Sequence, residues 1–254
     1  MSPRYVAIGS SVAAGPGIKP RAPSAPLLAG RSAVNYPHLV AARLGYDLVD
    51  VTYSGATTAN VLTDAQNGAP PQVEALDGSE ALVTVTIGGN DVGYVPMLLA
   101  AGLPRLVRAL PAVGRAIRAQ TDPEAKELAL AQAADSLKAV GREVRARAPK
   151  ARVLFVDYLT LLPPQGTPAR PLPDPDAALG RHVGGTLEGL TAVAAAETGC
   201  ELVLWSDASR EHHPWSNDPW AVGLGLPWPW RPAPMHPNAA GMRAAANLIV
   251  ERLS

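Results

Sequence analysis

The chain has 254 residues, enough to bury a sizeable core as one domain. Its 22 basic and 22 acidic side chains cancel, and no strongly basic cluster stands out, which argues against nucleic acid or an anionic membrane as the main partner. One cysteine, Cys200, excludes an intrachain disulfide and a cysteine-based zinc site, and no run of about 20 apolar residues offers a membrane span.

The first residues, MSPRYVAIGSS, enter a strand-like run with no basic leader and no long apolar stretch. With the lone cysteine, this is read as a cytoplasmic protein in a reducing compartment. Proline is abundant, at 26 residues, and concentrates in three long loops near 16–34, 160–176 and 206–235. All five tryptophans, from Trp205 to Trp230, fall in or beside the last of these.

In chain order, RYVAI (4–8) reads as a buried strand. NYPHLVAARLG (35–45) reads as a helix, with Asn35 as N-cap and Gly45 as its stop. YDLVDVTY (46–53) reads as a second strand, and ALVTVTIGG (81–89), β-branched and glycine-bounded, as a third. From Val95 to Ala148 the pattern is helical, and Pro104, Pro111, Gly114 and Pro123 are expected to break it into pieces. The last piece is a long amphipathic helix ending before Pro149. ARVLFVDYL (151–159) and CELVLWS (200–206) read as strands. The stretches 178–199 and 237–254 read as helices.

Strands that are apolar on both faces, each followed by a helix, predict a central parallel sheet covered on both sides, an α/β/α sandwich over 1–254. Ligand sites of such sheets lie beyond the carboxyl ends of the strands. That rule gathers the turns at 9–15, 53–58, 88–92 and 206–213 at one edge, together with the proline- and tryptophan-rich loop and residue 236.

The opening turn, Gly9-Ser10-Ser11, is not a nucleotide loop. Gly9, Gly15 and Gly17 miss the dinucleotide spacing, and no glycine-rich stretch ends in Gly-Lys-Ser/Thr. Nor is Ser11 flanked as in the nucleophile elbow of the α/β-hydrolases, because Val12 and Ala13 follow it. Three more motifs occur downstream: Gly55 in YSGATTANVL, Gly88, Asn90 and Asp91 in TIGGNDVGY, and His236 in APMHPNAAGM. With Gly9-Ser10-Ser11, in this order, they resemble the SGNH or GDSL family of serine esterases and lipases.

That resemblance implies a flavodoxin-like α/β/α hydrolase fold and hydrolysis of a small-molecule carboxylic ester without a cofactor or metal. It places Ser11 as nucleophile and His236 as general base. The N–H of Ser11, the N–H of Gly55 and the amide of Asn90 become the oxyanion hole. Asp91 is expected to support the turn. The chemistry is coherent with the residue types, since a serine hydroxyl needs a base and a tetrahedral oxyanion needs aimed donors.

Two positions depart from the family pattern. Ser10 stands where aspartate is usual, and Ala233 stands where the aspartate that orients the histidine is expected. His236 must then be oriented by a backbone carbonyl from Arg231–Ala233, the favoured reading, or by Asp207 or Asp218. Trp215, Trp220, Trp228 and Trp230 are candidates for an apolar substrate wall, with plain loop packing as the competing role.

Blander roles stand beside these. Ser11 also reads as a helix cap, Ser10 as a rival nucleophile, and Asn90-Asp91 as an ordinary turn. His38 and His182 fall in helices and read as structural. The pair His212–His213 lacks a completing ligand for a metal. Arg105, Arg108, Arg115 and Arg118 read as a solvated helix face. Thioester hydrolysis or acyl transfer would use the same machinery. A non-catalytic flavodoxin-like binding module is the alternative from another class.

Overall fold

The sheet of the computed structural model, which describes residues 2–226 and 231–254, has five parallel strands in the order β2-β1-β3-β4-β5. The strands are β1 (Arg4–Gly9), β2 (Asp47–Asp50), β3 (Glu80–Thr86), β4 (Arg152–Val156) and β5 (Glu201–Val203). All pairings are parallel, and Gly9 at the end of β1 lies opposite Thr86 at the end of β3. Their near-continuous apolar sequence follows from burial on both faces. Tyr5, Val6, Ala7 and Ile8 of β1 are fully buried, as are Leu82, Val83 and Val85 of β3.

Helices cover both faces. On one side α2 (Tyr36–Leu44) packs with α10 (Ala239–Leu253). On the other, α7 (Pro123–Arg147) packs with α8 (Asp174–Glu197), and α3 (Thr58–Leu62) and α4 (Tyr94–Ala101) lean on these two. Local chemistry sets the ends. Asn35 caps α2 by accepting from His38 N–H at 3.1 Å, and Gly45 closes it in the left-handed conformation, φ 67°. Asn238 caps α10 through the N–H groups of Ala240 and Gly241.

Several element limits differ from the sequence reading. The second strand closes at Asp50, although Val51 and Tyr53 still donate to Ala7 and Gly9 of β1. The fifth strand closes at Val203, and Trp205–Ala208 forms a helical turn, α9. Its cause is Asp157, whose carboxylate accepts from the Ser206 N–H at 2.8 Å and hydroxyl at 2.6 Å and curls the chain. Burial pushes the Asp157 carboxyl up to about 6, against the lowering effect of those two bonds. Gly114 does not break the helical region. It lies inside α6 (Pro111–Gln120), where a Cβ would meet the Arg108 carbonyl oxygen at 2.7 Å. Its small size lets α6 fold back on α5 (Arg105–Arg108). The eighth helix begins at Asp174, ahead of the expected 178, with Pro175 and two aspartates in its first turn.

The strand order reverses direction between β1 and β3, so a crevice opens beyond their carboxyl ends. Where β2 has already ended, the side chain of buried Gln72 replaces a strand. It accepts from the Gly9 N–H at 2.8 Å and donates to the Gly9 carbonyl at 3.1 Å. Gly9 itself has no room for a side chain, since a Cβ would lie 2.6 Å from the Thr86 carbonyl. The exit of β1 is therefore held on both flanks. Replacing Gln72 by leucine is expected to cost about 1–3 kcal/mol, the penalty of a buried N–H left unpaired. Chemical denaturation of Gln72→Leu checks this; unchanged stability would show that the amide clamp contributes nothing.

Candidate active site

After Gly9 the chain passes through extended Ser10 into a four-residue helix, α1 (Ser11–Ala14). Ser10 occupies the N-cap position but makes no cap bond with its side chain. Its hydroxyl instead meets the Tyr158 hydroxyl at 3.1 Å, and it is 1% exposed. Ser11 turns the other way and does not cap a helix. Its Oγ lies 2.8 Å from His236 Nε2, across 225 residues of sequence.

His236 is held by its own loop. Its Nδ1 is 2.8 Å from the Pro234 carbonyl oxygen. A carbonyl only accepts, so Nδ1 carries the proton in the neutral ring. Nε2 is then left bare, and the Ser11 hydroxyl donates to it. Between Pro234 and His236, Met235 is left-handed at φ 57° and fully buried, which makes the turn that lets the carbonyl face the ring. The loop is pinned further by hydrogen bonds Val222 N–H to His236 O (2.9 Å) and Met235 N–H to Val222 O (3.0 Å).

The remaining candidates come from neighbouring turns. Gly55 is exposed and left-handed, φ 80°, a conformation that disfavours any side chain. Neither the Gly55 nor the Ser11 N–H donates to a protein acceptor among the described residues. Asn90 Nδ2 donates one hydrogen to the Ala56 carbonyl at 2.8 Å, which fixes the amide. Its second hydrogen remains for a ligand. Asp91 supports the turn: both its oxygens accept from Thr58 N–H, and one takes the Thr58 hydroxyl at 2.5 Å. Burial raises its pKa, and the Thr58 bonds oppose that.

The reading of what orients His236 needs one correction. The group is a backbone carbonyl, but it belongs to Pro234 and not to Arg231–Ala233. Ala233 faces away and donates its N–H to the Pro16 carbonyl at 3.0 Å. Asp207 and Asp218 are not partners of the ring either. Asp207 is exposed on α9, and the Asp218 carboxylate sits 3.3 Å from His212 Nδ1.

The tryptophans divide. Trp220 stacks on His212 with ring centroids 3.9 Å apart and an interplanar angle of 5°. Trp215 donates its indole N–H to the Arg170 carbonyl at 2.8 Å. Both therefore hold loops together. Trp228 and Trp230 lie outside the described residues. His212 and His213 serve the same loop, His212 facing the Asp218 carbonyl at 2.8 Å and His213 accepting from Trp215 N–H. His38 packs on Asn35 and Asp50, and His182 pairs with Glu127.

Tyr158 was not singled out in the sequence, yet it joins two turns of the site. Its hydroxyl accepts from the Gly89 N–H at 2.9 Å as well as meeting Ser10. Its ring explains Gly89, where a Cβ would lie 2.6 Å away from it. A tyrosine directly after an Asp at a strand end was the available signal, but nothing local says which strand it will reach.

The arrangement has a buried-side hydroxyl, a neutral base in the correct tautomer and a set of uncommitted N–H donors. Those are the parts of nucleophilic acyl chemistry. Burial lowers the His236 pKa, while the Pro234 carbonyl raises it to a smaller extent. Imidazole 15N chemical shifts at neutral pH should therefore show the proton on Nδ1 and none on Nε2. The titration midpoint should fall below the ordinary value of about 6.5. A midpoint above it, or a proton on Nε2, contradicts the geometry.

Comparison with known proteins adds independent findings. The model of the GDSL-like lipase/acylhydrolase family matches residues 7–244. Lipase 2 of Streptomyces coelicolor is 34% identical over 271 residues, covering 98% of this chain and 85% of the relative. Among solved structures, an extracellular lipase from Streptomyces rimosus superposes with a TM-score of 0.80 at 26% identity, with 99% of each chain covered. Phospholipase A1 from Streptomyces albidoflavus also gives 0.80, at 24% identity over 100% of this chain and 99% of the other, a likeness of fold.

Proposed function

The chain belongs to the GDSL-like lipase/acylhydrolase family and is a carboxylic-ester hydrolase, and from that premise we propose that Ser11 is its nucleophile and His236 its general base, acting as a dyad. The observation that carries the proposal is the 2.8 Å contact of Ser11 Oγ with an Nε2 left free of its proton by the Pro234 carbonyl.

The Ser11 oxygen attacks the ester carbonyl carbon as its proton passes to His236 Nε2. The carbonyl oxygen becomes an oxyanion and takes the N–H groups of Ser11 and Gly55 and the free hydrogen of the Asn90 amide. The tetrahedral species collapses, the C–O bond to the alcohol breaks, and Nε2 returns the proton to the departing oxygen. Water then repeats the sequence on the acyl-serine, giving the carboxylic acid and restoring the hydroxyl.

During each transfer the imidazolium is supported by a carbonyl dipole rather than by a carboxylate. A dipole holds the ring in place but gives it less charge stabilisation. The low pKa of His236 is in keeping with this. The base is active when neutral, so kcat/KM falls as pH drops through its value, on a limb below the ordinary imidazole range.

A lone cysteine fits a reducing interior, whereas the S. rimosus lipase that the chain resembles is extracellular. No helix among the described residues is long and apolar enough to cross a membrane.

Hydrolysis of p-nitrophenyl acetate and butyrate tests the assignment. Ser11→Ala and His236→Ala should each lose nearly all turnover, and Asn90→Ala about 10²–10³-fold of it. Ser10→Ala, Asp207→Asn and Asp218→Asn should stay within a few-fold of wild type. Activity surviving Ser11→Ala moves the nucleophile, and strong loss in Asp218→Asn restores a carboxylate to the dyad.

A further inference from the structure

The net charge of zero conceals a local imbalance. Between Asp91 and Asp122 there is no acidic residue, and the stretch holds Arg105, Arg108, Arg115 and Arg118. The structure folds its second half into the helices α5 and α6. Arg108 is not part of a solvated face: it donates to the Ala101 carbonyl at 2.6 Å and pairs with Asp176 at 3.0 Å. Arg105, Arg115 and Arg118 are exposed, and none of them pairs with a carboxylate among the described residues.

The same hairpin leaves large apolar side chains in water. Leu106 is 87% exposed and Leu110 is 55% exposed, with Val107 exposed between them. Ala109, Pro111 and Ala112 extend the bare surface. Bare leucines beside unpaired arginines are the composition of an interfacial segment. Toward α8, Arg105 and Arg108 share an open groove with Arg170.

The hairpin also lies close to the histidine loop. At Gly102, where α4 ends, a Cβ would sit 3.0 Å from both Leu224 methyl groups. Leu224 follows Val222, whose N–H binds the His236 carbonyl at 2.9 Å. Two residues further, Leu226 is 80% exposed.

We propose that the α5–α6 hairpin docks the enzyme on an anionic phospholipid surface. Leu106, Val107 and Leu110 enter the interfacial layer, and Arg105, Arg115 and Arg118 meet the lipid phosphates. Charge complementarity selects this occupant, since the segment between Asp91 and Asp122 has no acidic residue and three of its arginines have no carboxylate partner among the described residues, so it disfavours a second copy of itself. The use of the docking rests on the ester-hydrolase reading, because it brings the His236 loop toward lipid esters. Binding itself does not require turnover.

The test is cosedimentation of the full chain with vesicles of ether-linked phosphatidylcholine, with and without ether-linked phosphatidylglycerol, which the enzyme cannot hydrolyse. Wild type should bind the phosphatidylglycerol vesicles and release in high salt. Arg105→Gln/Arg115→Gln/Arg118→Gln should weaken binding on the order of a hundredfold, at about fivefold per arginine. Leu106→Ser/Leu110→Ser should weaken it at least about tenfold. Both variants should keep wild-type melting temperatures and p-nitrophenyl butyrate turnover. Equal binding to both vesicle types, no binding, or variants that bind like wild type would overturn the proposal. So would a wild-type dimer that the leucine variant makes monomeric. Loss of wild-type turnover on p-nitrophenyl butyrate would instead strike the ester-hydrolase reading and leave the binding result standing.

Discussion

One hydrogen bond between the two ends of the chain, from Ser11 Oγ to His236 Nε2, gives purpose to most of what surrounds it. It requires the exit of β1 to be rigid and the loop before α10 to be rigid in register with it. Gln72, Thr86 and Tyr53 fix the first through Gly9 and Ser10. The bridge from 221–222 to 235–237 and the Asn238 cap fix the second. The two halves also touch directly: Ala233 donates to Pro16, and a Cβ at Gly17 would overlap the Arg231 carbonyl oxygen. Close backbone approach, more than any single side chain, sets the distance between Ser11 and His236.

The electrostatics are consistent with a dyad. A carboxylate behind the imidazole would raise its pKa, while burial with only a carbonyl partner lowers it. The ring therefore stays neutral down to lower pH than an ordinary imidazole does. With alanine at 233, the Pro234 carbonyl fixes the tautomer that an orienting aspartate would also fix. The carbonyl is available because Met235 accepts a left-handed conformation in a fully buried setting. Such a residue carries a conformational cost that the packed loop around it must offset.

Much of this was legible in the sequence, and the reasons can be named. Strand and helix identities followed from β-branched runs such as ALVTVTI and from caps such as Asn35 and Gly45, which are local physics. That the turns carrying Ser11, Gly55, Asn90 and His236 share one edge was legible from sheet topology, whereas singling out these four side chains rested on the resemblance of their motifs to the SGNH or GDSL pattern. Pro234 was missed by one residue, since which carbonyl meets a ring depends on a single φ that sequence does not announce. Strand ends were overextended where a tertiary bond, such as Asp157 to Ser206, curled an apolar run into a helix. The arginines of α5 and α6 were read as one face, but Asp176, 68 residues beyond Arg108, takes that arginine out of it.

The most direct test of the dyad is covalent. Brief exposure to a fluorophosphonate, followed by peptide mapping, reports which hydroxyl is activated and by what. The account predicts a single adduct on Ser11, with none on Ser10, and its loss in His236→Ala. An adduct on Ser10 or on another serine, or undiminished labelling of Ser11 without the histidine, would contradict it.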